Sequence, residues 1–526
     1  MEWTAPRGIE ADIVLVSVSR AKAAGRVHMM MAQNHVYVIS FGGGETGGVK
    51  TAKQAVTAEK ASGSETAYPR LMIAAPKSGS GKTMMTCGLL AAWKKRKIEC
   101  RAFKCGPDYI DPMFHKYVLG IDGGNLDTFF LPEEEVRNQF KDLAAGADLS
   151  VVEGVMGYYD GVGGNDTWAS SYDTARALDA PVVLVLDCKG ASLSLAAEIK
   201  GFLEYRKDSR IRGVILNRIS PVMAERLVPE IEKLGISVFG YLPECDAAKV
   251  TSRHLGLVIP EESEALRERL ELLALEMEKT VDVEGLLRLA GGAGELKDDG
   301  EAAEGGAEAV IAIEAHGTER IRIGIARDEA FCFYYQENIK LFESLGAEFV
   351  EFDPMRDEHL PKEIAGLMLG GGYPELYAER LSANGSLLRE IKEAAAGGMP
   401  ILAECGGFLY LHEELETREG EVFPMAGVIA GRAFPTGKLS RFGYIGLVPY
   451  GDTPLLKEGE EIRGHEFHYW DSTACGNAMK AVKPGGKRSW DCIHADGGLL
   501  AGFPHLYYPS NPSAAERWLE LCRKGT

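Results

Sequence analysis

The sequence predicts an α/β protein with two consecutive α/β blocks joined by a linker. At 526 residues the chain is too long for one ordinary hydrophobic core, so two domains are expected. Short β-rich apolar runs alternate with helical stretches in two separate series along the chain. Because these runs are apolar on both faces, they favour strands that are buried in parallel sheets.

The first block holds four candidate strands and a clear helix. The strands are Leu71 to Ala75 and the runs LSVVEGV from Leu149, PVVLVLD from Pro181 and GVILNRI from Gly213, and the helix runs from Thr83 to Lys97. A Gly-, Ala- and Glu-rich stretch from about Gly285 to Arg320 is typical of a linker. The second block begins with RIRIGIARD and continues through GLMLGGG, PILAECGG and GYIGLVP. Residues 1–66 are partly strand-like and have no assigned role.

Composition narrows the class of partner. The chain is 45% hydrophobic and 26% charged, which is ordinary for a globular protein, and its formal net charge is −19. Nucleic acids and anionic membranes are held mainly by Lys and Arg, so neither is expected as a partner. The ten cysteines are widely spread, which fits a reducing cytoplasm. No secretory signal and no apolar run long enough for a membrane span is visible.

The string SGSGKT, residues 78–83, follows an apolar strand and opens a helix. In this arrangement backbone N–H groups cradle phosphate oxygens, a lysine reaches the outer phosphates, and a hydroxyl binds Mg²⁺. The expected ATP-binding residues are Gly79, Ser80, Gly81, Lys82 and Thr83. The usual first glycine is replaced by Pro76. The alternative is a tight strand-to-helix turn that happens to be rich in glycine.

Acidic residues follow two of the strands. Asp108 and Asp111 stand in FKCGPDYIDPMFH, and Glu153 and Asp160 stand in VVEGVMGYYDG. The carboxyl ends of parallel strands gather ligands at one edge of a sheet, where Lys82 is also expected. Taken singly, each aspartate also suits a turn or a helix cap. Together, after a phosphate loop, they favour a site for a hard cation such as Mg²⁺.

The second block carries a candidate nucleophile. Cys405, in ILAECGGFLYL, closes an apolar strand and precedes two glycines, as in the sharp turn that exposes a nucleophile. The glycine loop Gly370–Gly372 ends another strand and can supply N–H donors to an oxyanion. His465, His468 and His505 follow downstream, and a cysteine nucleophile needs such a base. A plainly buried cysteine is the alternative.

From about Tyr68 to its end, the chain closely resembles the cobyrinate a,c-diamide synthase family of corrin biosynthesis. The matching strings are SGSGKT, FKCGPDYIDPMFH, NLDTFF, VVEGVMGYYDG, GVILNR, SRHLGLV, ARDEAFCFYYQENI, GGGYPELYA, ECGGFLYL and GHEFHYW. The resemblance implies a P-loop, dethiobiotin-synthetase-like ATP domain followed by a class I glutamine-amidotransferase-like α/β domain. It also implies that ATP phosphorylates a carboxylate of a tetrapyrrole-derived macrocycle and that ammonia from glutamine displaces the phosphate, at the a and c side chains in turn.

The resemblance also implies roles for individual residues. Cys405 becomes the glutaminase nucleophile and His505 its base, and no acidic third member is assigned. His505 follows Pro504 and precedes Leu506, which departs from the family's His-x-His string. In the ATP domain, the resemblance implies that Thr83, Asp108 and Glu153 bind the metal ion, that Asp111 and Asp160 lie at the substrate carboxylate or phosphoryl group, and that Asn217 contacts adenine. Arg253 and His254 would be cationic contacts to a polycarboxylate substrate. In the amidotransferase domain, Gly371, Gly372 and Gly406 would form the oxyanion loop.

The implied organisation has four parts. Residues 1–66 form an extension of unknown role, 67–262 the ATP-binding amide-ligase domain, 263–319 a helix and linker, and 320–526 the amidotransferase domain. The two catalytic domains are expected to pack face to face around an internal passage for ammonia. Expected partners are ATP, glutamine, Mg²⁺ and a cobyrinate-type tetrapyrrole, and a homodimer is left open.

Two other readings stay open at this point. One is the a,c-diamide synthase that acts on nickel-sirohydrochlorin in coenzyme F430 assembly, whose motifs overlap heavily with those above. The other, of a different class, is a regulatory P-loop ATPase whose amidotransferase-like domain only binds. That second reading predicts a missing nucleophile, and Cys405 counts against it.

Overall fold

The computed structural model describes residues 68–244, 260–296, 320–439 and 441–525, and the backbone of the strand segments 14–17, 27–32, 35–40 and 50–51. The chain divides into two compact units, Met1–Ala67 and Tyr68–Thr526. In the smaller unit, an antiparallel sheet has the strands β1 (Val14–Ser17), β2 (Val27–Ala32), β3 (His35–Ser40) and β4 (Lys50–Thr51), in that order. Across the described residues, no helix has the length and apolarity needed to cross a membrane.

The first half of the larger unit, residues 68–296, is built on a seven-stranded parallel sheet. Its strands are β5 (Arg70–Ala74), β6 (Cys100–Cys105), β7 (Gly123–Leu126), β8 (Leu149–Glu153), β9 (Val182–Asp187), β10 (Ile211–Asn217) and β11 (Ser237–Leu242). Its α-helices are α1 (Lys82–Lys95), α2 (Ile110–Tyr117), α3 (Glu133–Ala144), α4 (Ser171–Ala177), α5 (Ser194–Tyr205), α6 (Pro221–Glu232), α7 (Pro260–Thr280) and α8 (Val283–Gly291). The strand order is β11-β10-β9-β5-β8-β6-β7.

Burial explains why these runs form the sheet. Every residue of β5 and of β8 is buried, as the apolar runs on both faces predicted. The predicted linker from Gly285 is wrong at its start, because α8 occupies that stretch. Leu286 is fully buried there, and Trp93 of α1 donates a hydrogen bond of 3.3 Å to the carbonyl of Val283. Burial of the apolar face of α8 therefore stabilises a helix here despite its glycines.

The second half, residues 320–525, combines a mostly parallel sheet with antiparallel sheets. Its strands are β12 (Ile321–Ala326), β13 (Phe331–Phe333), β14 (Ala347–Phe352), β15 (Gly366–Leu369), β16 (Gly371–Gly372), β17 (Ile401–Glu404), β18 (His412–Glu416), β19 (Val422–Pro424), β20 (Ile429–Pro435), β21 (Arg441–Pro449), β22 (Ile462–His468), β23 (Trp470–Ser472), β24 (Met479–Val482), β25 (Ser489–Cys492), β26 (His494–Asp496), β27 (Leu499–Gly502) and β28 (His505–Leu506). Its α-helices are α9 (Gln336–Ser344), α10 (Ala378–Ala383), α11 (Gly385–Ala396), α12 (Gly406–Tyr410) and α13 (Pro512–Lys524).

Five strands of the second half run parallel at its centre. The order is β14-β12-β15-β17-β27-β26, and only β26 is antiparallel to its neighbour. The GYIGLVP run lies outside this sheet, in β21 of the antiparallel sheet β25-β24-β21-β22-β28. The prediction of two α/β blocks is confirmed, and this antiparallel sheet is an addition that carries His465 and His505.

The two halves pack directly against each other. The backbone N–H of Asn125 donates to Glu337 at 2.9 Å, and the Tyr444 hydroxyl donates to Asp127 at 2.7 Å. The aromatic ring of Tyr109, from the first half, lies 4.4 Å from that of Tyr335 in the second half, centre to centre. Buried polar and aromatic contacts of this kind hold the two sheets in a fixed relation.

Candidate active sites

The phosphate loop lies between β5 and α1, where the sequence predicted it. Gly79 and Gly81 have φ values of +77° and +97°, in the left-handed region that favours glycine. A side chain at Gly81 would also place its Cβ 2.3 Å from Asn217 Nδ2, which donates to the Ser80 carbonyl at 2.8 Å. The N-terminus of α1 has no side-chain cap, so its free N–H groups and dipole form an anion site.

Lys82 is folded into this loop. Its Nζ donates to the carbonyl of Met156 at 2.5 Å, and the side chain is buried. Burial and the nearby Lys104 lower the pKa of Lys82 to about 8. Among the described residues, the Lys82 ammonium donates only to the backbone carbonyls of Lys77 and Met156, so its charge is available to an arriving phosphate.

A buried charged cluster lies beside the loop. The Thr83 hydroxyl donates to Glu153 Oε1 at 2.6 Å, and Lys104 Nζ donates to the same oxygen at 2.7 Å and forms a close ion pair with Asp111. Burial opposes ionisation of Asp111, but Lys104 outweighs it and the pKa of Asp111 is lowered. Burial and the charge of Asp111 raise the pKa of Glu153 to about 7. The other oxygen of Glu153 has no hydrogen-bond partner among the described residues.

Asp108 and Asp160 lie at the margin of this cluster. Asp108 Oδ1 accepts hydrogen bonds from the N–H groups of Ile110 and Asp111, and its Oδ2 lies 3.9 Å from Lys104 Nζ. Asp160 accepts the N–H of Gly157 at 2.9 Å. Asp108 therefore orders the start of α2, and Asp160 orders the turn after β8. These contacts account for both side chains without a ligand, and the roles of Asp108 at the metal and of Asp160 at the substrate carboxylate stay predictions.

The donor set fits Mg²⁺. Thr83 and Glu153 offer a hydroxyl and a carboxylate in contact, and the unpartnered Glu153 oxygen is free to bind a cation. Within the described parts of the chain, no three His, Cys, Asp or Glu side chains converge as a ready metal cage. This matches Mg²⁺ in nucleotide sites, which is held by one or two protein oxygens together with phosphates and water.

Cys405 lies at the turn from β17 to α12. Its backbone is strained, with φ 47° and ψ −99°, and its N–H donates to the Gly502 carbonyl at 2.8 Å. A Cβ at Gly407 would meet the Leu369 carbonyl at 2.1 Å, so the turn requires glycine. Such strain is typical of a nucleophile elbow. Burial raises the pKa of the Cys405 thiol, and the resting residue is a thiol rather than a thiolate.

The predicted oxyanion glycines lie next to both the Cys405 turn and His505. A Cβ on Gly406 would lie 3.0 Å from the backbone N of Gly372, so the peptide of β16 runs against the elbow. A Cβ on Gly371 would lie 2.4 Å from Cε1 of His505. The glycine loop is therefore in contact with both the turn of the nucleophile and the histidine.

His505 is the histidine that contacts this loop among the described residues. Burial, and then the charge of His468, lower the pKa of His505 to about 3, so the imidazole is neutral and able to accept a proton. Its ring stacks on His465 with centroids 4.9 Å apart. His465 is hydrogen-bonded to Tyr335, and His468 to Glu466 and the Trp470 carbonyl, so both have other partners.

Sequence reasoning missed two residues. Lys104 is the cation of the carboxylate cluster, and its signal was a lysine at the end of an apolar strand, directly before the acidic turn. Tyr109 lies between Asp108 and Ile110, and its ring lies 5.3 Å from that of His505. No local pattern marks Tyr109, because this contact is made across the two halves. Arg253 and His254 lie outside the described residues.

Each half of the larger unit matches a known domain family. Residues 71–258 match the family model for the CobQ/CobB/MinD/ParA nucleotide binding domain, and residues 322–512 match that for the CobB/CobQ-like glutamine amidotransferase domain. Among solved structures, PurLQS from Thermotoga maritima covers 39% of this chain and 99% of its own, at 15% identity and a TM-score of 0.28. The cell division protein MinD from Aquifex aeolicus covers 42% and 94%, at 16% identity and a TM-score of 0.26.

Three curated relatives match nearly their whole length. The chain is 40% identical to a cobyrinate a,c-diamide synthase from Caldanaerobacter subterraneus, over 86% of this chain and 98% of the relative. It is 37% identical to the cobyrinate a,c-diamide synthase of Salmonella typhimurium, over 86% and 98%. It is 37% identical to the hydrogenobyrinate a,c-diamide synthase of Streptomyces coelicolor, over 88% and 99%. The chain therefore belongs to the cobyrinate a,c-diamide synthase family and is an ATP-dependent carbon–nitrogen ligase with glutamine as its amido donor.

Proposed function

We propose that this chain converts the a and c side-chain carboxylates of a cobyrinate-type tetrapyrrole to amides, in the cytoplasm, at the expense of ATP and glutamine. The observation that carries the proposal is the presence of two distinct centres in one compact unit: the phosphate loop with its charged cluster, and the Cys405 elbow with His505. The names of the relatives support the substrate class.

The first centre forms the acyl phosphate. A substrate carboxylate attacks the terminal phosphoryl group of ATP, ADP leaves, and the carbonyl carbon then carries phosphate as its leaving group in place of oxide. Lys82 and the N–H groups at the start of α1 stabilise the phosphoryl oxygens, and Lys104 with Asp111 positions the carboxylate. Thr83 and Glu153 would hold Mg²⁺, which neutralises phosphate charge when bound.

The second centre releases ammonia. Cys405 attacks the side-chain amide of glutamine, His505 takes the thiol proton and passes it to the departing nitrogen, and water then hydrolyses the glutamyl thioester. Gly371, Gly372 and Gly406 would supply N–H donors to the oxyanion, and the close approach of the Gly372 backbone N to Gly406 supports this role. Ammonia then attacks the acyl phosphate and releases phosphate.

The seam between the halves has room for a large substrate. A cleft of about 970 Å³ opens there, with Tyr109 on one wall and both basic and acidic side chains in its lining, among them Lys116, Lys340, Asp142 and Glu351. Tyr109 connects the acidic turn to the ring of His505 across the same seam. Ammonia that travels along this buried contact avoids protonation in bulk water.

The proposal is tested by incubating the protein with ATP, Mg²⁺ and glutamine beside cobyrinate, hydrogenobyrinate or nickel-sirohydrochlorin. Mass spectrometry is expected to show two carboxyl-to-amide conversions on a cobyrinate-type macrocycle, with ADP, phosphate and glutamate as co-products. Conversion of nickel-sirohydrochlorin alone would transfer the assignment to the coenzyme F430 reaction. ATP hydrolysis without amide formation on any macrocycle would contradict the proposal and favour the regulatory ATPase reading.

A further inference from the structure

His505 lacks an obvious partner for its second ring nitrogen. Its Nδ1 is fully buried and has no hydrogen bond within the part of the chain that the structure describes. A histidine that works as a base through Nε2 needs Nδ1–H held by an acceptor, because that bond fixes the tautomer and stabilises the imidazolium. Tyr507, two residues after His505, offers no carboxylate, so the acceptor has to come from elsewhere in the fold.

The carboxyl group of Glu404 is the acid that faces this nitrogen. Glu404 is the last residue of β17 and directly precedes Cys405, and its Oε2 lies 4.0 Å from His505 Nδ1. Its Oε1 accepts hydrogen bonds of 3.3 Å from the Leu506 N–H and from the Tyr508 hydroxyl. These two contacts connect Glu404 to the segment that carries His505. The Glu404 side chain therefore links the strand that precedes Cys405 to the segment that carries His505.

Two further acids, Glu375 and Glu466, act on Cys405, but among the described residues the ion pair to His505 Nδ1 is that of Glu404. Glu466 accepts hydrogen bonds of 3.0 Å from His468 Nε2 and from Trp490 Nε1, one on each carboxylate oxygen. Both hydrogen bonds to Glu404 described above are accepted by Oε1, whereas Oε2 is the oxygen that faces His505. The 4.0 Å between Oε2 and Nδ1 is about 1 Å longer than a typical N–H···O hydrogen bond, a gap that a side-chain rotation of Glu404 would have to close.

We propose that Glu404 is the positioning residue of the glutaminase, accepting a hydrogen bond from His505 Nδ1 and leaving Nε2 free to take the thiol proton of Cys405. The inference rests on the proposed function of Cys405 and His505. When the proton reaches Nε2, the imidazolium that forms lies beside the Glu404 carboxylate, so the pair changes from a net charge of −1 to neutral. Glu404 therefore acts on the nucleophile only through His505.

Burial sets the pH at which this arrangement forms. Burial raises the pKa of Glu404 to about 8 and lowers the pKa of His505 to about 3. Between these two pH values, both side chains are uncharged. A carboxyl group with a raised pKa gains its charge only above that value, so glutamine hydrolysis is expected to increase as the pH rises through about 8. The titratable groups around Glu404 are His505, Tyr508, Tyr334, Tyr335, Tyr109 and Cys405.

The test compares Glu404→Gln with Glu466→Gln and Cys405→Ala in the full chain. For Glu404→Gln, we expect kcat for glutamine hydrolysis to fall about a hundredfold, with little change in KM and with loss of the rise near pH 8. Amidation with ammonium salt, which does not need the glutaminase, should remain at the wild-type rate and shows that the variant is folded. Glu466→Gln should hydrolyse glutamine with a higher kcat than Glu404→Gln. The kcat of Glu404→Asp should lie between those of Glu404→Gln and the wild type.

The outcomes separate the inference from the proposed function. If Cys405→Ala loses glutamine hydrolysis while Glu404→Gln keeps the wild-type kcat, the positioning role of Glu404 is wrong and the glutaminase stands. If Cys405→Ala still hydrolyses glutamine, both are wrong. A measurement on the wild-type chain is independent of how the variants fold: ¹⁵N spectra at pH 9, assigned with His505→Gln, should show His505 protonated at Nδ1, and protonation at Nε2 would overturn the inference.

Discussion

The two candidate reaction centres handle charge in opposite ways. Around the phosphate loop, Lys104 forms ion pairs with Asp111 and Glu153 in the buried interior, and Lys82 is a second cation beside them. Around the elbow, burial keeps Cys405 a thiol and lowers the pKa of His505 to about 3, so neither carries a charge at rest. The first centre holds the charges of Lys104 and Asp111 at rest, whereas Cys405 and His505 in the second centre acquire charge when glutamine reacts.

The difference follows from what each reaction requires. Phosphoryl transfer moves existing negative charge, which fixed cations in a dry site stabilise without reorganisation. Amide hydrolysis by a thiol creates an ion pair through proton transfer, so the groups need correct positions more than they need charge. Substitutions in the first centre should therefore abolish amidation from any nitrogen source, whereas those in the second should abolish only the use of glutamine.

The largest expected effect is that of Lys82→Ala. Loss of the loop cation should reduce amidation at least about a thousandfold with glutamine and with ammonium alike. The matched control is Lys95→Ala, which removes an exposed lysine from the far end of α1 and should retain most activity. Initial rates of amide formation at saturating ATP provide the measurement. Wild-type rates in Lys82→Ala would show that the loop does not bind the reacting phosphates.

A smaller effect is expected for Glu153→Gln. Its carboxylate contacts Thr83 and Lys104, so the amide should slow acyl phosphate formation about a hundredfold while leaving glutamine hydrolysis intact. Asp108→Asn is the control, because the remaining amide oxygen can still accept the N–H groups at the start of α2. The measurement is ADP formation with macrocycle and ammonium. If Glu153→Gln and Asp108→Asn lost ADP formation to the same extent, the assignment of Glu153 as a ligand and of Asp108 as a helix cap would be wrong.

The smallest effect on rate, and the most specific, is expected for Tyr109→Ala. Its ring packs on His505 and Tyr335 across the seam, so truncation should open the buried contact without removing a catalytic group. We expect more glutamate released than amide formed, because ammonia escapes to solvent. Amidation with ammonium should change little. If the Tyr109→Ala variant formed one amide for each glutamate released, ammonia would not travel past Tyr109.

Much of this organisation could be predicted from the sequence because its signals are local. Gly81 and Thr83 lie in a short strand–loop–helix segment whose residue types and geometry are dictated together. Cys405 lies in a comparable strand–turn–helix segment, with φ of 47° and a glycine where no Cβ fits. In both cases the chemistry and the fold depend on the same few neighbours in the chain.

The rest depends on contacts that are distant in the sequence. Lys104 acquires its role only when β6 and β8 place it beside Glu153, and Tyr109 only when the second half packs on its ring. Glu404 resembles an ordinary polar residue at a strand end until β28 brings His505 to it. The glycine content around Leu286 predicts a linker, whereas the helix there depends on distant residues such as Trp93, which donates a hydrogen bond to the Val283 carbonyl.

The claim that one chain holds two separable centres is tested most directly by Cys405→Ala, assayed with macrocycle, ATP and Mg²⁺ and with either glutamine or concentrated ammonium salt at alkaline pH. The thioester cannot form without the thiol, whereas the phosphate loop and its charged cluster are untouched. We expect amidation with glutamine to disappear and amidation with ammonium to continue at the wild-type rate. Undiminished use of glutamine, or equal loss of both activities, would contradict the account.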